Sequence, residues 1–301
     1  MMKKLTLKNS IIKKAIILAG GNATRLYPTT FGISKHCIPV HDKPMIYYPI
    51  STLIKAGIKD FIIVSNPPFL DNYKKLLKTG KHLGVRFKFL PQHRPTGLPD
   101  VFKICKNYIK NEPILLNLGD HFFCGEDIQN ILRSQIKKFE KSFFFSFTKK
   151  SKTSNYGVIE FDKEKKPIQI VEKPKNFISN QILCGLFCFD HNVLNHSLSL
   201  KKSIRGETEI SDLINIYIKN KNITHFPINN RNNYWIDMGE VSNIKKAAQL
   251  SMKMNTLKNS YGYLDVDAYL NGFIDLKLFN RSLKEYPNNN TYKKNIERIL
   301  N

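Results

Sequence analysis

The chain has 301 residues, 42% hydrophobic and 24% charged, proportions that allow a sizeable buried core and exclude an intrinsically disordered protein. Its 48 Lys and Arg against 24 Asp and Glu leave a formal charge of +24, but no block of five or six like charges occurs. The excess therefore reads as lysine bias spread along the chain rather than as a nucleic-acid patch.

The basic lead-in "MMKKLTLKNSIIKK" is not expected to act as a signal peptide, because Lys13 and Lys14 interrupt it and the apolar run that follows is short. That run, "KAIILAGG", predicts a buried strand. "MIYYPISTLIKAG" has apolar residues at Ile46, Pro49, Ile50, Leu53 and Ile54, a helical spacing closed by Gly57. "KDFIIVSN" predicts a second buried strand, so strand, crossover helix and strand begin a parallel sheet. "PILLNLGDHFF" adds a strand ending at a Gly-Asp, "DIQNILRSQIKKF" a helix with Ile128, Ile131, Leu132, Ile136 and Phe139 on one face, and "KSFFFSF" a further strand.

"YGVIEFD", "KPIQIVEKP" and "CGLFCFD" are short strands divided by charged turns, which predicts a mixed or antiparallel addition. An asparagine-rich turn in "THFPINNRNNYWIDMGE" precedes a Trp-containing strand end. From about Ser242 the pattern is helical, and "PNNNTY" separates off a last short helix. No apolar run reaches the ~18 residues of a membrane span. Five cysteines, Cys37, Cys105, Cys124, Cys184 and Cys188, form no CxxC pair, which argues against a disulfide framework or zinc site and for reduced thiols in the cytoplasm. The expected fold is α/β, an open mixed Rossmann-like sheet with helices on both faces, a small β addition and a helical tail. Ligands of such a sheet sit beyond the carboxyl ends of its strands.

The loop after the first strand, "LAGGNATRLYP", suits an anion: Gly20 and Gly21 let oxygens approach the main chain, and Arg25 supplies a planar cation for phosphoryl oxygens. It matches neither GxxxxGK[ST] nor GxGxxG. The longer string "LAGGNATRLYPTTFGISKHCIPVHDKPMIYYPISTLIKAGI" resembles the signature of the sugar-nucleotide pyrophosphorylases, nucleotidyltransferases that act on sugar 1-phosphates, and most closely their glucose-1-phosphate thymidylyltransferase branch. Further matches follow in family order: "GLP" after Gln92, "LGD" at Asp120, "YGV" at Tyr156, "EKP" at Glu172, "GETEISD" from Gly206 and "WIDMG" at Asp237.

The resemblance implies a catalytic domain over residues 1–245 with a helical appendage over 246–301. It implies that Leu18, Gly20, Gly21, Thr24, Arg25 and His36 bind the nucleotide, with Gln92 and Gly97 on the pyrimidine edge. Arg25, Lys35 and Lys173 would carry the catalytic charge. His121, Tyr156, Gly157, Glu172, Lys173 and Leu183 would line the sugar phosphate, and Asp120 and Asp237 would hold Mg²⁺. Expected partners are a pyrimidine NTP, dTTP ahead of UTP, and a sugar 1-phosphate, glucose 1-phosphate being the family default. A cytoplasmic homotetramer serving cell-surface polysaccharide or deoxysugar synthesis is the family setting; neither nucleic acid nor membrane is an expected partner.

Five positions depart from the family pattern: Ala23 replaces a loop glycine, His36 a glutamine, Pro99 and Asp100 stand in "GLPDV" where "GLAQA" is usual, and His121 replaces asparagine. A β-carbon at Ala23 costs ~1–2 kcal/mol if that position requires a positive φ. These departures motivate an alternative, a non-catalytic homologue that binds a nucleotide sugar. Net charge alone motivates another, a basic nucleic-acid-binding protein, which the acidic residues of the expected site oppose.

Overall fold

Ala15, Ile16 and Ile17 are fully buried in the strand Lys14–Leu18, which pairs in parallel with Asp60–Ser65 on one side and Ile114–Leu118 on the other. The computed structural model describes residues 10–109, 112–149, 153–228, 232–255 and 260–300. Arg86–Pro91 continues the parallel half beyond Asp60–Ser65. Beyond Ile114–Leu118 the direction reverses. Gln181–Phe189 runs antiparallel to it and also pairs with Ser142–Thr148 and, at Ile182, with Gly157–Phe161. Pro167–Glu172 is antiparallel to Gly157–Phe161, and Ile223–Ile228 is parallel to Ser142–Thr148, completing nine strands among the described residues.

Side-chain alternation sends the first strand's residues to two cores, which is why its whole length is apolar. Ala15 and Ile17 meet the helices Tyr47–Ala56 and Glu126–Lys137 through Ile50, Leu53, Ile54, Ile128 and Leu132. Ile16 faces Val101, Phe102 and the helix Ile210–Lys219 through Leu213, Ile214 and Tyr217. Gly57 ends the first helix in the left-handed region at φ 109, its N–H donating to the Leu53 and Ile54 carbonyls.

The expected strands and helices form where the sequence puts them, with two differences at their ends. The strand in "PILLNLGDHFF" stops at Leu118, and His121–Cys124 is a separate short strand that pairs antiparallel with Tyr234–Asp237. Phe139 lies past the end of its helix at Lys137. The asparagine run at 229–231 lies outside the described residues.

The chain then closes with helices Val241–Met254, Leu264–Leu270, Leu276–Lys284 and Thr291–Leu300. Tyr263, Leu264, Val266, Phe279, Tyr292, Ile296 and Ile299 join the same core as Ala15 and Ile50. Two buried lysines pin this packing. Lys43 is paired to Asp42 at 2.6 Å and lies 3.9 Å from the Tyr263 ring centre, and Lys55 donates to the Ser260 carbonyl at 2.9 Å. Beside Lys55, Asp267 accepts from Ser51 at 2.5 Å and from Ser260, and burial pushes its carboxyl up to about 6 against the pull of Lys55.

Candidate active site

The strand order makes a crevice where the connection from Arg86–Pro91 returns to the far side of the first strand, between the carboxyl ends of Lys14–Leu18 and Ile114–Leu118. The Gly119 N–H bonds the Leu18 carbonyl at 2.9 Å, so Asp120 and the Gly20–Arg25 loop leave the sheet side by side. Gln92 packs on Gly20, where a β-carbon would come within 2.5 Å of its Oε1 and displace that amide. Asn66, just past the second strand, clasps Gly21 in both directions: it accepts from the Gly21 N–H and donates to its carbonyl, each at 3.3 Å.

Ala23 follows in the left-handed region at φ 47, its carbonyl accepting from Thr30 Oγ1 at 3.0 Å. The positive φ that a glycine would accept is therefore present, and the methyl group bears its cost. Ala23→Gly is expected to raise stability by roughly 0.5–1 kcal/mol once the freer unfolded chain is subtracted. An unchanged or lower denaturation midpoint in urea would show that the loop is not strained at this residue.

A short helical turn, Thr24–Leu26, then presents Arg25, whose exposed guanidinium lies 3.7 Å from Glu240. The turn Lys35–Cys37 aims Lys35 at Asp120, Nζ to Oδ2 2.5 Å, with both side chains mostly buried. Burial alone would raise the Asp120 carboxyl, but Lys35 and then His121 and His36 hold it well below the usual carboxylate range. His36 packs against Gly119, where a β-carbon would sit 2.8 Å from the ring. Its Nδ1 lies 3.3 Å from Ser34 Oγ and 3.2 Å from the Tyr73 hydroxyl. Burial, then Lys35, lowers its pKa to about 3, so the ring is neutral.

Asp237 arrives from the other strand pair: it is in register with His121, and the next N–H, Met238, bonds the Asp120 carbonyl at 2.9 Å. Its Oδ1 accepts from the Gly239 N–H at 2.9 Å. Burial, then the neighbouring Asp237, raises the Tyr156 phenol. His121 Nδ1 lies 2.9 Å from the Cys184 carbonyl, and its ring fills the space a β-carbon of Gly185 (φ 72) would need.

On the opposite wall Glu172 and Lys173 close the strand Pro167–Glu172, Lys173 at φ 45 with its N–H on the Tyr156 carbonyl. Burial raises the Glu172 carboxyl, opposed by the Ser211 hydroxyl, which donates to it at 2.8 Å. Gly157 faces Leu183 and Glu172 too closely for a side chain.

These groups share one cleft of about 720 Å³. Leu18, Gly20, Thr24, Arg25, Lys35, His36, Asp120, His121, Tyr156, Gly157, Glu172, Lys173, Leu183 and Asp237 line it. Gly21, Gln92 and Gly97 do not; Gln92 is buried behind Gly20, and Gly97 is bridged to Thr208. The cleft also takes in Lys149, Asn155, Glu240, Asn243 and Lys246, which sequence reasoning missed. The only trace of the last three was their i, i+3 spacing after "WIDMG", which puts Glu240 at the cap of the helix Val241–Met254 and Asn243 and Lys246 on one of its faces. Cations at one strand exit, carboxylates at the next and a lysine opposite can bring two phosphorylated molecules together and neutralise the charge between them.

Known proteins resemble the chain over most of its length. A glucose-1-phosphate thymidylyltransferase of Neisseria meningitidis is 34% identical over 289 residues, spanning 95% of this chain and 99% of that one. One from Xanthomonas campestris is 38% identical, spanning 78% of this chain and 79% of the relative. Among solved structures, a Bacillus anthracis chain assigned as a glucose-1-phosphate thymidylyltransferase and crystallised with sucrose superposes with a TM-score of 0.73 at 29% identity, covering 81% of this chain and 96% of that one. A UDP-glucose pyrophosphorylase complexed with UDP-glucose shares the fold at a TM-score of 0.69 and 23% identity, covering 80% and 99%. The family model for nucleotidyl transferases matches residues 14–253, from the first sheet strand to the helix whose Asn243 and Lys246 line the cleft, and the chain belongs to that family.

Proposed function

We propose that the protein condenses a sugar 1-phosphate, glucose 1-phosphate first, with a pyrimidine nucleoside triphosphate, dTTP ahead of UTP, to give an NDP-sugar and pyrophosphate. The observation that carries this reading is the convergence of Arg25, Lys35, Lys173, Asp120 and Asp237 on one cleft. The shared name of the relatives supports thymidylyl transfer to glucose 1-phosphate in particular.

In this reading an oxygen of the sugar phosphate forms a bond to the α-phosphorus while the α–β bridging bond breaks and pyrophosphate leaves. The attacking oxygen is already ionised near neutral pH, so no general base is needed. Arg25 and Lys35 hold the triphosphate, Gly20 and Gly21 admit it to the backbone, and Lys173 holds the sugar phosphate, with Glu172 and Gly157 receiving sugar hydroxyls. Gln92 and Gly97, set behind the glycine loop, would read the pyrimidine edge. A preference for dTTP over UTP turns on one methyl, worth ~1–3 kcal/mol.

Asp120 and Asp237 offer only oxygen donors, and no cluster of three or more His, Cys, Asp or Glu that could hold a metal exists among the described residues. That donor set suits Mg²⁺, which completes its shell with water and phosphate. Bound there, it would neutralise phosphoryl charge and polarise the phosphorus centre. We include a cytoplasmic homotetramer in the same reading, to be tested by light scattering. Among the described residues no helix is long and apolar enough to cross a membrane.

Incubating purified protein with Mg²⁺, each of dTTP, UTP, CTP and ATP and a panel of sugar 1-phosphates tests the reaction. Pyrophosphate release is expected with dTTP and glucose 1-phosphate. No release with any pair would overturn the proposal, and binding without release would identify a non-catalytic relative.

A further inference from the structure

The loop that would read the base and the carboxylate that would receive the sugar are far apart in sequence, yet one strap joins them. Gly97 forms an isolated parallel bridge with Thr208, and the Thr208 N–H donates to the Thr96 carbonyl at 2.9 Å. The fit leaves no slack: a β-carbon on Gly97, at φ 123, would lie 2.1 Å from the Thr208 carbonyl oxygen. From Thr208 the chain enters the helix Ile210–Lys219, and two side chains reach back to Glu172. Ser211 Oγ donates to Oε2 at 2.8 Å, and Arg205 lies 3.7 Å from Oε1. Arg205 is itself held by Glu209 at 3.3 Å, and Glu209 accepts from Ser203 Oγ at 2.8 Å. Leu98, next to Gly97, and Ile210, next to Ser211, both line the cleft.

We propose that residues 203–211 are a positioning strap that couples the two substrate sites, with Ser211 as its contact on the sugar side, so that a bound nucleotide raises affinity for the sugar 1-phosphate. The inference rests on the proposed function, in which Gln92 and Gly97 attend the base and Glu172 the sugar. The Thr96–Thr208 ladder and the Ser211–Glu172 bond are already formed; a base seated against Leu98 damps their opening, so that Ser211 holds Glu172 in its accepting orientation before the sugar arrives. Ordering cost is met at the first binding event, so the second ligand binds more tightly. By linkage the sugar phosphate tightens nucleotide binding by the same factor.

Calorimetry with Mg²⁺, glucose 1-phosphate and the uncleavable α,β-methylene analogue of dTTP measures that factor. In the wild-type protein the analogue at saturation is expected to tighten glucose 1-phosphate binding by ~5-fold or more, within the usual range of coupling between sites. Ser211→Ala is expected to bring the factor to within about twofold of unity while analogue affinity stays within about twofold of wild type, and Ser211→Thr to restore it. Coupling that persists in Ser211→Ala overturns the strap, as does a wild-type protein that binds both ligands independently. If neither ligand binds, the active-site reading falls and the strap with it. A second measurement needs no variant: with the analogue alone, amide hydrogen exchange at Thr208 should slow, and unchanged exchange there with the analogue bound would also overturn the strap.

Discussion

Asp120→Asn is expected to lower pyrophosphate release by ~10³-fold or more while leaving a cooperatively melting protein. The carboxylate meets Lys35 at 2.5 Å, its carbonyl is tied to Met238, and its neighbour His121 is locked between Cys184 and Gly185, so an isosteric amide has a prepared place. In the proposed reaction the substitution removes one negative charge and one carboxylate oxygen offered to the metal, from a cleft that would gather several phosphates. An interaction worth several kcal/mol in the transition state corresponds to about three decades in rate. Asp237→Asn should act in the same direction. If both carboxylates serve one metal, as proposed, the double variant should lose far less than the product of the single losses. Single-turnover rates together with melting curves test this. A variant that folds normally and retains a tenth of wild-type turnover would remove Asp120 from the chemistry.

Ending the chain at Met254 is expected to abolish folding. The removed segment carries Leu264, Val266, Phe279, Ile296 and Ile299, all nearly or fully buried in the core they share with the helix Tyr47–Ala56. Each such side chain contributes ~1.5–3 kcal/mol, and together they rival the ~5–15 kcal/mol that holds a typical domain. Truncation would also strip the Tyr263 ring from Lys43, which keeps its Asp42 pair and Ser251, and the Ser260 carbonyl from Lys55, leaving that inward-facing ammonium short of a partner. Expression in inclusion bodies, or a soluble product without a cooperative transition, is the expected outcome. A soluble truncated chain melting within a few degrees of the full one would show that the last three helices add nothing to the core.

The parallel half of the sheet was legible because its strands are continuous apolar runs separated by a crossover helix with a glycine stop, and each signal is local. The mixed half was legible as strands but not as an order, since the pairing of Gln181–Phe189 with both Ile114–Leu118 and Ser142–Thr148 depends on contacts that no spacing encodes. The cleft followed the family motifs, which is why Asp120 and Asp237 could be named from 117 residues apart. Asn66, Lys149 and Lys246 could not be named, because an asparagine after a strand or a lysine on a basic chain looks the same whether it faces solvent or substrate. Thr208 is harder still: its role lies in a backbone bridge, to which the side chain adds almost no pattern.

The cleft draws its wall from segments that begin at Leu18 and end at Lys246, on strands whose neighbours in space are rarely their neighbours in the chain. A ribosome must therefore release nearly the whole polypeptide before the cations and carboxylates proposed to receive a triphosphate can stand together. Half-made or partly melted molecules have no means of spending nucleotide, and the catalytic output of a cell's pool of this protein reports only its completed members.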